Sequence, residues 1–215
     1  IAELERSAAE VLTNYAEMLE RFGSPPIKNS GTLGGNLANG SPIGDTMPAL
    51  FVLDAEIELI GPRGLRRVNM NRFYTGYRQS AMAADELIRR VLVSLPRENE
   101  RFAVYKISKR RDLDISSFTA AIWMHIEGDV IRRARIAYGG VAPTIVRLPK
   151  TEAWLCDRRL TEAVMRQAGK TAREEIAPIS DVRGSAAYRS QLAENILVKF
   201  ARQYGERAVA SHNGY

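Results

Sequence analysis

The nineteen residues from Ile27 to Asp45, IKNSGTLGGNLANGSPIGD, hold five glycines and three asparagines. Glycine is costly inside a helix or strand, so this stretch reads as a long loop around which the flanking elements must be arranged. A backbone with so few side chains can approach a ligand closely, and successive amide N–H groups can form a concave nest for anions. A phosphate-bearing cofactor suits such a loop, as does a plain surface excursion. Neither GxxxxGK[ST] nor a GxGxxG between strand and helix occurs, so the common nucleotide folds do not apply.

The flanks are ordinary. With 215 residues, 45% hydrophobic and 26% charged, the chain can form one large domain or two small ones. Apolar residues Ile1, Leu4, Ala8, Val11, Tyr15, Met18 and Phe22 fall on one stripe and predict a helix over 1–22, closed by Gly23 and two prolines. A second helix is expected to start near Asp45, with that carboxylate able to cap it. AEIELIG and LRRVNM alternate around a PRG turn, the mark of an antiparallel hairpin, and Asp85 to Pro96 predicts another strand.

Polar RENER, from Arg97 to Arg101, marks the best domain boundary, giving segments 1–98 and 99–215. Beyond it, ISSFTAAIWMHIE and VIRRARIAYGG predict a second hairpin turning at Gly128-Asp129, and the remainder is helical. The fold class is α+β, with helices covering one face of a small antiparallel sheet in the second half.

Composition narrows the chemistry. Cys156 is the one cysteine, and His125 and His212 are the two histidines, which excludes a disulfide framework and a Cys- or His-rich metal site. Cys156 reads as a small buried hydrophobe, His125 as a structural strand residue, and the compartment as cytoplasmic. Net charge is +6, spread over short basic pairs without interleaved aromatics. Solvated faces and attraction to an anionic small molecule both stay open, whereas a nucleic-acid surface is not indicated. There is no apolar run long enough for a membrane helix. Starting at Ile1 inside a helical pattern, the chain reads as a fragment of a longer sequence.

The strings SPPIKNSGTLGGNLANGSPIGDTMPALFVLDAEIEL, FYTGYRQSAMAADELI, YKISKRRDLDIS and ARIAYGGVAPT follow one another as in a known family. The chain resembles the FAD-binding part of xanthine dehydrogenase and related molybdenum hydroxylases. That resemblance implies the second subdomain of a vanillyl-alcohol-oxidase-type (PCMH-type) FAD-binding domain, followed by the small C-terminal domain of the flavoprotein. The first subdomain, with its own glycine-rich loop, would precede Ile1.

Carried over residue by residue, the resemblance assigns FAD contacts to Phe22, Thr32, Leu33, Gly34, Gly35, Asn36, Asp45, Ile88, Lys106 and Ile115. Alone, Phe22 reads as the last apolar residue of its helix, Asp45 as a helix cap and Ile88 as a strand core residue. Arg110, Asp112 and Asp114 would surround Ile115 beside the flavin ring. Mammalian members carry an acidic residue where this chain has Leu113, which leaves NAD and oxygen both open as acceptor. YGGVAPT is expected to serve the fold.

The implied function is that of a FAD-binding electron-transfer oxidoreductase component, with no catalytic residue of its own and no bound metal. It would take electrons from [2Fe–2S] clusters and pass them from FAD as hydride to NAD, in purine catabolism. A molybdopterin-bearing subunit and an iron–sulfur domain would be partners in an oligomeric complex, and the fragment would be inactive alone. The alternatives are the flavoprotein subunit of a carbon monoxide dehydrogenase, aldehyde oxidase or hydroxybenzoyl-CoA reductase type enzyme, and, from another class, a non-redox basic binding module.

Overall fold

The computed structural model describes residues 1–210, with side chains through residue 205; His212 lies outside the described residues. The expected N-terminal helix is two helices, α1 (Ala2–Val11) and α2 (Thr13–Glu20), broken at Leu12, whose φ of −141° is not helical. The break turns α2 onto the C-terminal half, where Asn14 Nδ2 donates to the Phe102 carbonyl at 3.0 Å.

Pro25 and Pro26 do not end a helix but open one, α3 (Pro25–Ser30), because the first helical amides need no intrahelical partner. The glycine-rich stretch is likewise not all loop. It contains α4 (Leu33–Asn39), started by Thr32, whose hydroxyl accepts the Gly35 N–H at 2.9 Å, and stopped by Gly40 at φ 58°. The cap supplies locally what glycine lacks in helix propensity.

α5 (Met47–Val52) follows, with Pro48 in its first turn, and its cap position is Thr46. Asp45 therefore does not cap it; its carboxylate is bound elsewhere.

A wet-faced sheet comes next. The predicted hairpin is β1 (Glu56–Gly61) with β2 (Gly64–Asn69). After the small hairpin of β3 (Tyr74–Gly76) and β4 (Gln79–Ser80), β5 (Leu87–Leu92) completes the order β2-β1-β5. Ile57 and Leu59 point into the core, while Glu56 and Ile60 alternate outward.

The C-terminal half is built on a larger antiparallel sheet. β6 (Glu100–Ile107), β7 (Phe118–Glu127) and β8 (Val130–Gly139) pair in sequence, with short β9 (Val146–Arg147) and β10 (Arg158–Arg159) both along β8. Helices α6 (Pro149–Leu155), α7 (Glu162–Glu174) and α8 (Ala186–Ala210) follow.

Its own helices cover one face of this sheet, as expected, and the other face is covered by the N-terminal half. Phe118, Ala120, Ile122 and Met124 of β7 pack with Met165, Leu197 and Phe200 of α7 and α8. Ala121 and Trp123 join Leu50, Phe51 and the rest of the N-terminal core. The second face is thus closed by α5 and α2, which join the two halves through buried apolar surface. Cys156, expected inside, is exposed at the end of α6, because the helix stops there and its inward positions are Thr151 and Leu155.

Candidate functional site

Where the two halves meet on one side, a cleft of about 900 Å³ opens. Its walls are the end of α2 with the turn after it (Phe22 to Ser24), Asn36 and Asn39 of α4, the Ser41–Asp45 loop, Tyr77 and Arg78 of the small hairpin, Leu113–Ser116, and residues from the loop before α8. This is the size of a small-molecule or cofactor cleft.

Its floor is a buried polar cluster. Lys106 Nζ on β6 donates to Asp45 Oδ2 at 2.5 Å and to Ser116 Oγ at 2.9 Å, and Ser116 Oγ donates to Asp45 Oδ1 at 2.5 Å. The Lys106 side chain is 1% exposed and that of Asp45 9%. A buried charge pair persists only when each member is also hydrogen-bonded, and the serine supplies that. Asp45 faces the cleft; Lys106 stands behind it.

Asn36 is oriented too. Its Oδ1 accepts the Thr46 hydroxyl at 2.6 Å, which leaves its amide N–H groups for the cleft it lines. The Ser41–Asp45 loop is held by the Tyr138-Gly139-Gly140 segment, for the Gly140 N–H donates to the Pro42 carbonyl at 2.8 Å. The YGG motif thus serves the fold, as expected, but at the edge of the site.

Two glycines show what kind of space this is. A Cβ at Gly44 would come within 2.1 Å of Met47 Cε, so the end of the methionine side chain would have to move aside. At Gly34 a Cβ would meet Ile88 at an ordinary 3.6 Å. Nothing in the chain forbids a side chain at Gly34.

The residues singled out from sequence fall into three places. Phe22, Asn36, Asp45 and Ile115 line the cleft together. Thr32, Leu33, Gly34 and Gly35 form the start of α4 and run up to Asn36, with Ile88 of β5 beside Gly34. Lys106 is the buried support of Asp45.

The KRRDLDIS loop divides. Leu113 (φ 57°), Asp114 and Ile115 reach the cleft, whereas Arg111 and Asp112 line a separate groove between α2 and β6. The Arg110 amide donates to Asp114 at 3.0 Å, and that bond, with the Arg110 charge, holds the Asp114 carboxyl below its ordinary range.

Sequence reasoning passed over Ser116, Tyr77, Arg78 and the Ile179–Arg183 wall. The first three lie inside quoted motifs, so position within those motifs was a usable signal. The 179–183 wall lies in no motif and comes from a distant part of the chain.

A family model described as the FAD binding domain in molybdopterin dehydrogenase matches residues 1–97, and one described as the CO dehydrogenase flavoprotein C-terminal domain matches residues 103–204. Xanthine dehydrogenase/oxidase of Gallus gallus is 29% identical over 219 residues, covering 100% of this chain and 16% of its own length. The xanthine dehydrogenase FAD-binding subunit of Escherichia coli O157:H7 is 29% identical over 198 residues, covering 90% of this chain and 65% of its own length. The chain thus spans less than two thirds of either relative. Among solved structures, a carbon monoxide dehydrogenase from Hydrogenophaga pseudoflava superposes with a TM-score of 0.86 at 27% identity, covering 92% of this chain and 69% of that one. Carrying both family segments in order, the chain belongs to the flavoprotein family of the molybdenum hydroxylases, oxidoreductases of which it is the FAD-binding part.

Proposed function

We propose that this chain is the FAD-holding electron-transfer component of a xanthine-dehydrogenase-like molybdenum hydroxylase, working in the cytoplasm with a molybdopterin subunit and an iron–sulfur domain. The observation that carries the reading is the convergence of Phe22, Asn36, Asp45 and Ile115 on one cleft above the Asp45–Lys106–Ser116 cluster. When bound, FAD supplies the step from one-electron iron–sulfur donors to hydride transfer to NAD. We place the boundary between the FAD-binding segment and the C-terminal domain at residues 98/99.

The residues present suit a flavin. Asn36 offers amide donors to ring or ribose oxygens, and Asp45, oriented by Lys106 and Ser116, has lone pairs left to accept from N–H or O–H groups. Phe22, Leu113 and Ile115 give apolar surface for a planar ring and displace water from it. The start of α4, without side chains at Gly34 and Gly35 and with the Gly35 amide already taken by Thr32, offers the Leu33 and Gly34 amides to the same ligand. A carbon monoxide dehydrogenase type of flavoprotein subunit is the second reading, favoured by the structural superposition.

The test is reconstitution of the full-length gene product with its partners. It should bind FAD and reduce NAD with xanthine as donor, and Asn36→Ala should weaken FAD about tenfold, the worth of one good hydrogen bond. A full-length protein that takes up no FAD would sink the proposal. FAD-dependent reduction of another acceptor with carbon monoxide as donor would select the second reading.

A further inference from the structure

The Ile179–Arg183 wall of the cleft has little apolar anchorage, since Ile179 is 71% and Val182 81% exposed. Its position is set by hydrogen bonds, and two of those that reach it from outside come from one side chain. Arg189, in the first turn of α8, is 1% exposed although arginine is rarely buried. Its Nε donates to the Ser117 carbonyl at 3.0 Å, Nη1 to the Ile179 carbonyl at 2.6 Å and Nη2 to Asp181 Oδ1 at 2.7 Å.

One planar guanidinium therefore ties two segments that are some sixty residues apart in sequence. The Ser117 hydroxyl adds a bond to the Arg183 carbonyl at 2.7 Å, and Lys109 Nζ one to the Val182 carbonyl at 2.7 Å. Ser116, next along the chain, donates to Asp45 on the cleft floor. The clamp, the wall and the floor are one connected network.

We infer that Arg189 is a positioning residue for the flavin cleft: its three-pronged grip fixes the Ile179–Arg183 wall and the Ser116–Ser117 segment against Asp45, and so sets how openly the cleft is reached from solvent. This rests on the reading of the cleft as the FAD site. A lysine could satisfy part of the grip but not its planar fork.

The experiment uses the full-length holoprotein with its partners and compares Arg189→Gln, Arg189→Lys and, as a surface control, Arg173→Gln on α7. Amide hydrogen exchange in 179–184, iodide quenching of the bound flavin, and kcat and KM for NAD are measured. Loss of a charge-assisted hydrogen-bond network should raise exchange in 179–184 by at least about tenfold in Arg189→Gln. Iodide quenching should rise and KM should move several-fold, with kcat held, while Arg189→Lys falls between and Arg173→Gln matches wild type.

Exchange that rises evenly along α8, or a freed 179–184 segment with unchanged quenching and KM, overturns the inference. Should Arg189→Gln not fold, Asp181→Ala cuts one prong in an exposed turn, and it must show the same changes in weaker form. A wild-type protein without flavin defeats the FAD reading instead, and exchange in 179–184 then decides the clamp by itself.

Discussion

The two sheets solve opposite problems. In the β2-β1-β5 sheet one face is wet, and charges there are shared across strands: Glu58 receives Arg67, Arg89 and Arg90 at 3.3, 3.1 and 2.8 Å. Ile60, Leu65 and Leu87 stand in register and exposed on the same face. In the β6–β10 sheet both faces are dry, and the charge pair that enters it, Lys106 with Asp45, is sealed by Ser116. On the first sheet a buried glutamate is shared among several arginines that reach solvent; in the second Lys106 and Asp45 are both enclosed and share one serine. The cleft lies beside the enclosed pair, where a fixed carboxylate has most influence on a ligand.

The comparison breaks most visibly at Trp123, which fills the gap between the sheet and the N-terminal core, is 5% exposed and carries Arg135 over its ring at 4.4 Å. Trp123→Ala should cost roughly 3–5 kcal/mol, measured by denaturant melts. Ile60→Ala, on the wet face, should stay within about 0.5 kcal/mol. Equal losses would mean that the two halves are not packed through this residue.

Asp45→Ala strands the Lys106 ammonium, and removing one partner of a buried pair costs about 3–5 kcal/mol. The double variant Asp45→Ala/Lys106→Met should regain most of that, because no unpaired charge remains. If the double variant is as unstable as the single one, the pair is held by its packing and not by its charge.

Acid should separate the sheets without any mutation. Glu86 accepts both Arg66 nitrogens at 2.6 and 2.7 Å and the Ala83 amide at 2.8 Å, and these bonds hold its carboxyl at about 2. A carboxyl depressed by folding adds stability that is full above its unfolded value, about 4.3, and is lost as pH falls toward its folded one. The wet sheet should therefore loosen between about pH 4 and 2, seen as rising exchange at β2 and β5. Glu86→Gln should flatten its contribution to that acid dependence.

The same contrast explains what could be read beforehand. The β1–β2 hairpin was legible because one wet face forces alternation at Glu56, Ile57 and Ile60. β6 was not, because Phe102, Ala103, Tyr105 and Lys106 are buried in succession and its start lay in what reads as a polar boundary. In the site, the α4 side was legible through motif residues, while Arg189 looks like any solvated helix arginine until the sheet closes over it. Charge type says nothing about burial when one of the partners is the Ser117 carbonyl, 72 residues away.

The smallest test lies within the dry sheet itself. Among the described residues, Thr119 Oγ1 is a buried side-chain atom without a hydrogen-bond partner, and the residue is 1% exposed beside Gly139. Burying a hydroxyl without a partner costs free energy that a methyl group of similar shape does not. Thr119→Val should thus stabilise the protein by about 1 kcal/mol, read as a raised denaturation midpoint with an unchanged slope. The matching Asn69→Val on β2 should destabilise it, since Asn69 Oδ1 caps the Asn71 amide at 2.9 Å at the end of the wet sheet. A polar atom is a liability in one sheet and a fastening in the other, and opposite signs for these two substitutions are what that difference requires.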